Sequence, residues 1–175
     1  MVALFLTGRM GAGKDVVADY LVDKYNFTKT AFANGIRDLI TRYNPFYIPK
    51  SNRLLEIDVG NTMRAWFGDD IWIKSALSKE FMNSINTVVS DGRFPLEYKI
   101  CVEEAGFRHI HIDASTDIRL QRIYKRDGRV DHNLFYSPDD CQIPLTRNTT
   151  VIINNGSLED LYEVLDGLMI INGVR

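Results

Sequence analysis

Val2-Ala3-Leu4-Phe5-Leu6-Thr7-Gly8-Arg9-Met10-Gly11-Ala12-Gly13-Lys14-Asp15 is the stretch from which the rest of the chain can be read. Val2 to Thr7 is a short apolar run, the composition of a strand buried on both faces. Lys14 to Tyr25 then sets Val16, Val17, Tyr20, Leu21 and Tyr25 at helical spacing, so Gly8 to Gly13 is the turn between strand and helix. G-x-x-x-x-G-K in that setting is the phosphate-binding loop pattern. Glycines let consecutive backbone N–H groups curl around phosphate oxygens without side-chain clash. The helix N-terminus adds favourable partial charge, and Lys14 reaches the terminal phosphates.

Outward from this loop, apolar strands alternate with amphipathic helices, the pattern of a parallel sheet covered on both sides. A second helix is expected from near Asn34, and residues 44–54, with Pro45, Pro49 and Asn52, form a loop. Leu54 to Phe67 and Ile71 to Asn83 read as helical, and Thr87 to Ser90 as a short central strand. Pro95 to Ala105 fits a helix opened by proline and closed by Gly106. His109 to Ile112 is a strand, Ile118 to Lys125 a helix, and residues 127–146 are polar and irregular. Thr150 to Ile153 is the last strand, and Ser157 caps a final helix through Met169.

A chain of 175 residues fits one domain with a sizeable core, taken as residues 1–175. Lys plus Arg number 21 against 23 Asp plus Glu, a net charge of −2, which gives no broad basic face for stable duplex nucleic acid. Any anion site is therefore local. Cys101 and Cys141 form no CxxC and have no His at ligand spacing, which argues against a disulfide framework or zinc site and for a reducing cytoplasm. The run Val2 to Leu6 is too short for a signal-peptide core or a membrane span, so a soluble protein is expected.

Two acids stand where a phosphate-bound metal would be held. Asp15 replaces the usual Ser or Thr hydroxyl after the loop lysine. It reads either as a hard oxygen ligand for magnesium or as a helix N-terminal charge favoured by the dipole. Asp91 follows Val88-Val89-Ser90 at the carboxyl end of a strand, where open α/β sheets place ligands; its bland alternative is a turn former.

The chain resembles the nucleoside monophosphate kinases, and among them most closely the phage-type deoxynucleoside monophosphate kinases. The likeness rests on G-K-D in the loop, on Ala31-Phe32-Ala33-Asn34-Gly35-Ile36-Arg37-Asp38, and on Gly60 through Arg64 followed by Phe67-Gly68 and Ile71-Trp72. It also rests on Asp91-Gly92-Arg93-Phe94 with Glu97, and on Val151-Ile152-Ile153-Asn154-Asn155-Gly156-Ser157-Leu158. The resemblance implies a three-layer α/β/α P-loop NTPase fold, with acceptor-binding helices over 34–75 and a short lid over 127–146. ATP with Mg2+ would be held by Gly8, Met10, Gly11, Ala12, Gly13, Lys14 and Asp15, with the adenine on Asn155 and Gly156. Arg37, Arg64 and Arg93 would hold the acceptor phosphate, with Asp91 beside them, and Asp15 and Asp91 would orient the metal. Bidentate guanidinium groups suit a dianionic phosphate better than lysine does. The resemblance also implies small-molecule partners and no membrane, is compatible with a homodimer, and fits nucleotide supply in a cytoplasm, a host's if the gene is a phage's.

A cationic cluster of Arg119, Arg122, Lys125, Arg126 and Arg129 leads into the polar segment. Arg122 and Arg126, four apart on one helical face, match the arginine pair that related kinases close over the transferring phosphoryl group, with Arg122 also reaching ATP. The alternative is a solvated face balanced by Asp117 and Asp127. A phosphate acceptor, with its second pKa near ~6, is largely deprotonated at neutral pH and requires no general base. Catalysis would then be positioning and charge neutralisation by Lys14, Arg122, Arg126 and Asp91. His109 and His111 read as structural or exposed, and His132 falls in the lid. Asn34, Asp58, Asn61 and Trp66 are candidates for base recognition. Three alternatives stay open: a hydroxyl kinase of the dephospho-coenzyme A type with Asp15 or Asp91 as base, a phosphomevalonate-type kinase, and a non-catalytic nucleotide switch or nucleic-acid-end binder.

Overall fold

The computed structural model describes residues 2–48, 52–84 and 86–174. Pro49, expected in the loop after the second helix, lies outside the described residues. Among those described, five strands form one sheet in the order β2-β3-β1-β4-β5: β1 (Val2–Thr7), β2 (Thr28–Thr30), β3 (Asn86–Gly92), β4 (Arg108–Asp113) and β5 (Thr150–Ile153). Every pairing is parallel.

The alternation along β1 sorts the core into two layers. Leu4 and Leu6 point to one face, where they meet Val17 and Leu21 of α1 (Lys14–Tyr25) and Leu161, Leu165 and Met169 of α9 (Leu158–Ile171). Phe5 points to the other, against Phe32 and Ile36 of α2 (Phe32–Tyr43) and Trp72 and Ile73 of α4 (Ile71–Ala76), the latter in the same buried cluster. Val88 and Val89 of β3 divide the same way. Leu4, Phe5 and Leu6 are fully buried, each worth about 2 kcal/mol in apolar burial, so the strand before the loop is firmly held. A three-layer α/β/α sandwich results.

Each departure from the sequence-based expectation has an identifiable cause. β2 is an unexpected, polar edge strand of 3 residues between Phe27 and Ala31. α2 starts at Phe32 and not near Asn34, because its cap comes from far along the chain: the Asp91 carboxylate accepts the amides of Phe32 (2.8 Å) and Ala33 (3.0 Å). α3 (Arg53–Phe67) opens on Asn52, whose side chain accepts the Leu55 amide. The helix expected over 71–83 breaks after α4 at Leu77 and restarts as α5 (Lys79–Met82), with the Ser78 hydroxyl accepting the Phe81 amide. α6 (Pro95–Tyr98) passes into a π-helical turn over Lys99–Glu104 before Gly106 ends it with positive φ. α7 (Thr116–Asp127) is followed by α8 (His132–Phe135) and a 3-10 turn at Pro138–Asp140, so the polar segment carries structure that its composition did not show. No described helix is long and apolar enough to cross a membrane.

Candidate active site

The loop between β1 and α1 and the residues after β3 leave the sheet at the same carboxyl edge, and the site is built there. Gly8 and Gly13 both have positive φ, and a Cβ at Gly8 would collide with the Ile112 carbonyl on the neighbouring strand. At Gly13 a Cβ would collide with the side chain of Asn154, which is buried at the end of β5 and donates to the Ala12 carbonyl (2.8 Å). The loop is thus clamped from β4 and β5, and it curls back on itself through the Ala12 amide and the Arg9 carbonyl (3.1 Å).

Lys14 folds over this loop, donating to the carbonyls of Gly8 and Arg9. Burial of its ammonium end, and after that the charge of Arg93, pull its pKa down to about 8 against the opposing pull of Asp140, Cys141 and Asp15. Arg119 is buried behind the loop: its guanidinium donates to the carbonyls of Ala114 and Met10 and sits 4.6 Å from the Phe135 ring. Arg122 donates to Asn154 (3.2 Å) and keeps a second, buried nitrogen without a hydrogen bond. Arg126 is exposed and paired with its neighbour Asp127 at 2.6 Å, apart from Arg122's partners.

The segment after α7 is docked on the site. Phe135 is buried, Gln142 donates its amide to the Arg93 carbonyl (2.8 Å), and Asp140 accepts the amide of Met10 at 2.5 Å. Asp140 is buried, and its other carboxylate oxygen has no hydrogen-bond partner.

Beside the loop lies a cavity of about 160 Å³. Its cations are Arg53, Arg64 and Arg93; its apolar wall includes Phe32, Ile36 and Phe94; and Leu134, Ser137 and Asp140 close it from the docked segment. Arg64 stacks 5.1 Å over Phe94 and donates to Asn61 (3.3 Å), another lining residue. Arg37 does not line the cavity but pairs with a buried residue of its wall, Glu56 (3.2 and 3.3 Å), which also accepts the Tyr47 hydroxyl (2.6 Å). Removing one partner of such a buried pair costs about 3–5 kcal/mol, so Arg37 first of all holds α2 to α3. Arg53, which the sequence reading missed, takes a cavity place in its stead, at the first position of α3. A cation at a helix N-terminus opposes the dipole, and that is the signal that could have marked it.

The acids sort by what they already hold. Asp91 lines the cavity while spending one hydrogen bond of each oxygen on the start of α2. Glu97, also lining, accepts the amides of Arg93 (2.7 Å) and Phe94 (3.0 Å), and burial pushes its pKa up to about 7 despite those bonds. Asp15 is exposed on α1 and pairs with Lys29 at 3.2 Å. Asn155 accepts the Ser115 amide (2.9 Å), and Gly156 lies in the exposed turn before α9; the residue that touches the loop is Asn154. His109 is buried and shares Thr7 with His111 (2.7 and 2.9 Å), while its other nitrogen meets Thr149 (2.9 Å), a structural placement. Asn34 lines a separate cleft, and Asp58 and Trp66 are exposed.

No protein-family model and no curated protein sequence matches the chain. Solved structures do. A Janibacter sugar kinase superposes with a TM-score of 0.58 at 13% identity, covering 99% of this chain and 95% of its own. A gluconokinase from Sinorhizobium meliloti gives 0.56 at 13%, covering 97% and 93%. A shikimate kinase from Acinetobacter baumannii, solved with shikimate, gives 0.56 at 16%, covering 100% and 97%. The chain therefore shares the α/β fold of these three kinases.

Proposed function

We propose that the protein is an ATP-dependent kinase that transfers a phosphoryl group to the phosphate of a deoxynucleoside monophosphate. The observation that carries this reading is the union of a glycine-clamped phosphate loop with a cavity facing it through Arg53, Arg64 and Arg93. Arg53, Arg64 and Arg93 line the cavity together with Glu56, Asp91, Glu97 and Asp140; Glu56 is paired with Arg37, and Asp91 and Glu97 are engaged by backbone amides, which leaves the guanidinium groups to receive a phosphate dianion. Phe32, Ile36 and Phe94 supply the apolar surface on which a base can lie, and Asn61 supplies an amide for its edge. A phosphate oxygen attacks without a general base, so Lys14, Arg93 and Arg53 act by orienting and neutralising the two phosphates.

Among the described residues no cluster of three or more His, Cys, Asp or Glu side chains is arranged to hold a metal. Asp15 at the start of α1 and Asp91 in the cavity wall are the carboxylates beside the loop, and a magnesium arriving with the nucleotide would be ligated mainly by phosphate oxygens and water. Asp15 and Asp91 would hold its water shell, and the ion would supply charge neutralisation at the phosphates.

One observation favours a second reading. Glu97, its pKa pushed up to about 7, lines the same cavity and suits a general base toward a hydroxyl acceptor, and the solved structures of this fold include a sugar kinase, a gluconokinase and a shikimate kinase. The two separate on Glu97→Gln, which retains an oxygen for the Arg93 and Phe94 amides. With phosphate acceptors, ADP release should fall by no more than a few-fold; a hydroxyl kinase would lose about a hundredfold or more. The panel for this assay is the four deoxynucleoside monophosphates, 5-hydroxymethyl-dUMP, dephospho-coenzyme A, phosphomevalonate, gluconate and shikimate. Turnover confined to the hydroxyl acceptors would replace the first reading by the second.

A further inference from the structure

The chain places an anion of its own against the glycine loop. Asp140 reaches from the 3-10 turn of the docked segment to the Met10 amide at 2.5 Å, inside the very loop whose amides are built for phosphate. It is buried to 4% exposure, it lines the cavity beside Arg53 and Arg93, and one of its oxygens has no hydrogen-bond partner. Arg53 carries the matching deficit, since its Nε is buried without a hydrogen-bond partner. A buried donor and a buried acceptor left unmade in one small cavity are costly unless something else belongs there.

The geometry points to a phosphate subsite between the Met10 amide, Lys14, Arg93 and Arg53, in which Arg53 is a phosphate ligand and Asp140 is the stand-in that fills the subsite until a phosphate displaces it. This rests on the kinase reading and extends it, because it places the meeting point of the two substrates' phosphates at the junction of loop and cavity. Electrostatics agree: the charges of Arg93 and Asp140 both bear on Lys14 and on Arg53, with opposite sign. Displacement of Asp140 also has a mechanical result. The segment that carries it supplies Leu134 and Ser137 to the cavity wall and binds the Arg93 carbonyl through Gln142. Entry of a phosphate at the loop therefore loosens the cover of the acceptor cavity, and nucleotide binding prepares the neighbouring site.

A competitor built into a site reduces apparent affinity by the fraction of molecules in which the site is free. The two residues should thus act in opposite directions, which a shared structural role cannot produce. The probe is inorganic pyrophosphate without metal, titrated by calorimetry at neutral pH into the full chain. Asp140→Asn, which retains the size and one acceptor oxygen but loses the charge, should bind about tenfold more tightly than the parent. Arg53→Gln should bind about tenfold more weakly, with a smaller salt dependence. Asp140→Ala provides the same sign by a second route, and thermal unfolding with and without probe verifies that each variant is folded; the Asp140 variants should gain more from pyrophosphate than the parent does. Equal or weaker binding in both Asp140 variants, or unchanged binding in Arg53→Gln, overturns the subsite while leaving the kinase reading intact. Absence of pyrophosphate binding in the parent and in every variant overturns both.

Discussion

At the scale of single residues, the site is a set of partly buried charges that act on one another. Lys14 shows the consequence most directly, since burial and Arg93 bring its pKa down to about 8. A bound triphosphate restores the charged form, so ATP binding near pH 9 should take up a substantial fraction of a proton. Calorimetry in buffers of different ionisation enthalpy measures that uptake, and Lys14→Arg, which cannot deprotonate, should abolish it. Uptake of the same size in Lys14→Arg would assign the proton to another group. His109 makes a prediction of opposite kind, about stability. Burial, and then His111, push its pKa from about 6.5 down to about 4, so the unfolded chain takes the proton first as pH falls. Its contribution is complete above about pH 6.5 and is lost between there and about pH 4, amounting to about 2 kcal/mol by pH 5. Urea midpoints at pH 7, 6 and 5 should show this slope, and His109→Gln should flatten it.

At the scale of elements, what could be read in advance and what could not divide by sequence distance. The loop was legible because all its parts are contiguous: strand, glycines, lysine and helix follow within one stretch. Arg64 and Arg93 were legible as cavity residues through the motifs around them, and both line the cavity. Asp91 was read as a metal-orienting acid or a turn former, and the structure adds a part that neither described, the cap on α2 supplied 59 residues away. The same distance hid the true start of α2, because Ala31 offers no capping side chain. Asp91→Ala should therefore cost about 1–2 kcal/mol in urea unfolding, as removal of a helix cap does, and Asp91→Asn roughly half of that. An unchanged midpoint in Asp91→Ala would show that the cap is dispensable. Asn154, by contrast, was passed over for Asn155 and Gly156 because nothing in an N-N-G run tells which asparagine turns inward. The bond from the Asn154 amide to the Asp113 carbonyl, which continues the β4–β5 ladder, decides it.

At the scale of the whole molecule, the parallel sheet and its two helical layers followed from hydrophobic pattern, since burial on both faces leaves the same signature in every central strand. The docking of residues 132–143 did not, because its contacts are polar and long-range: Asp140 to Met10 across 130 residues, and Gln142 to Arg93. Pattern carries no information about such pairs. The same applies to Arg53, whose value lies in a cavity shared by α2, α3, β3 and the docked segment. The proposed function joins the glycine loop and the cavity lined by Arg53, Arg64 and Arg93 in one reaction, with a phosphate oxygen as the proposed acceptor atom. Phosphorus NMR of ATP, magnesium and the four deoxynucleoside monophosphates with catalytic enzyme tests that claim most directly. A new deoxynucleoside diphosphate is expected, with coupled α and β resonances growing as ADP appears and none formed by Lys14→Ala. ADP appearing alongside a phosphate monoester from a hydroxyl acceptor, with every nucleoside monophosphate left unchanged, would contradict it.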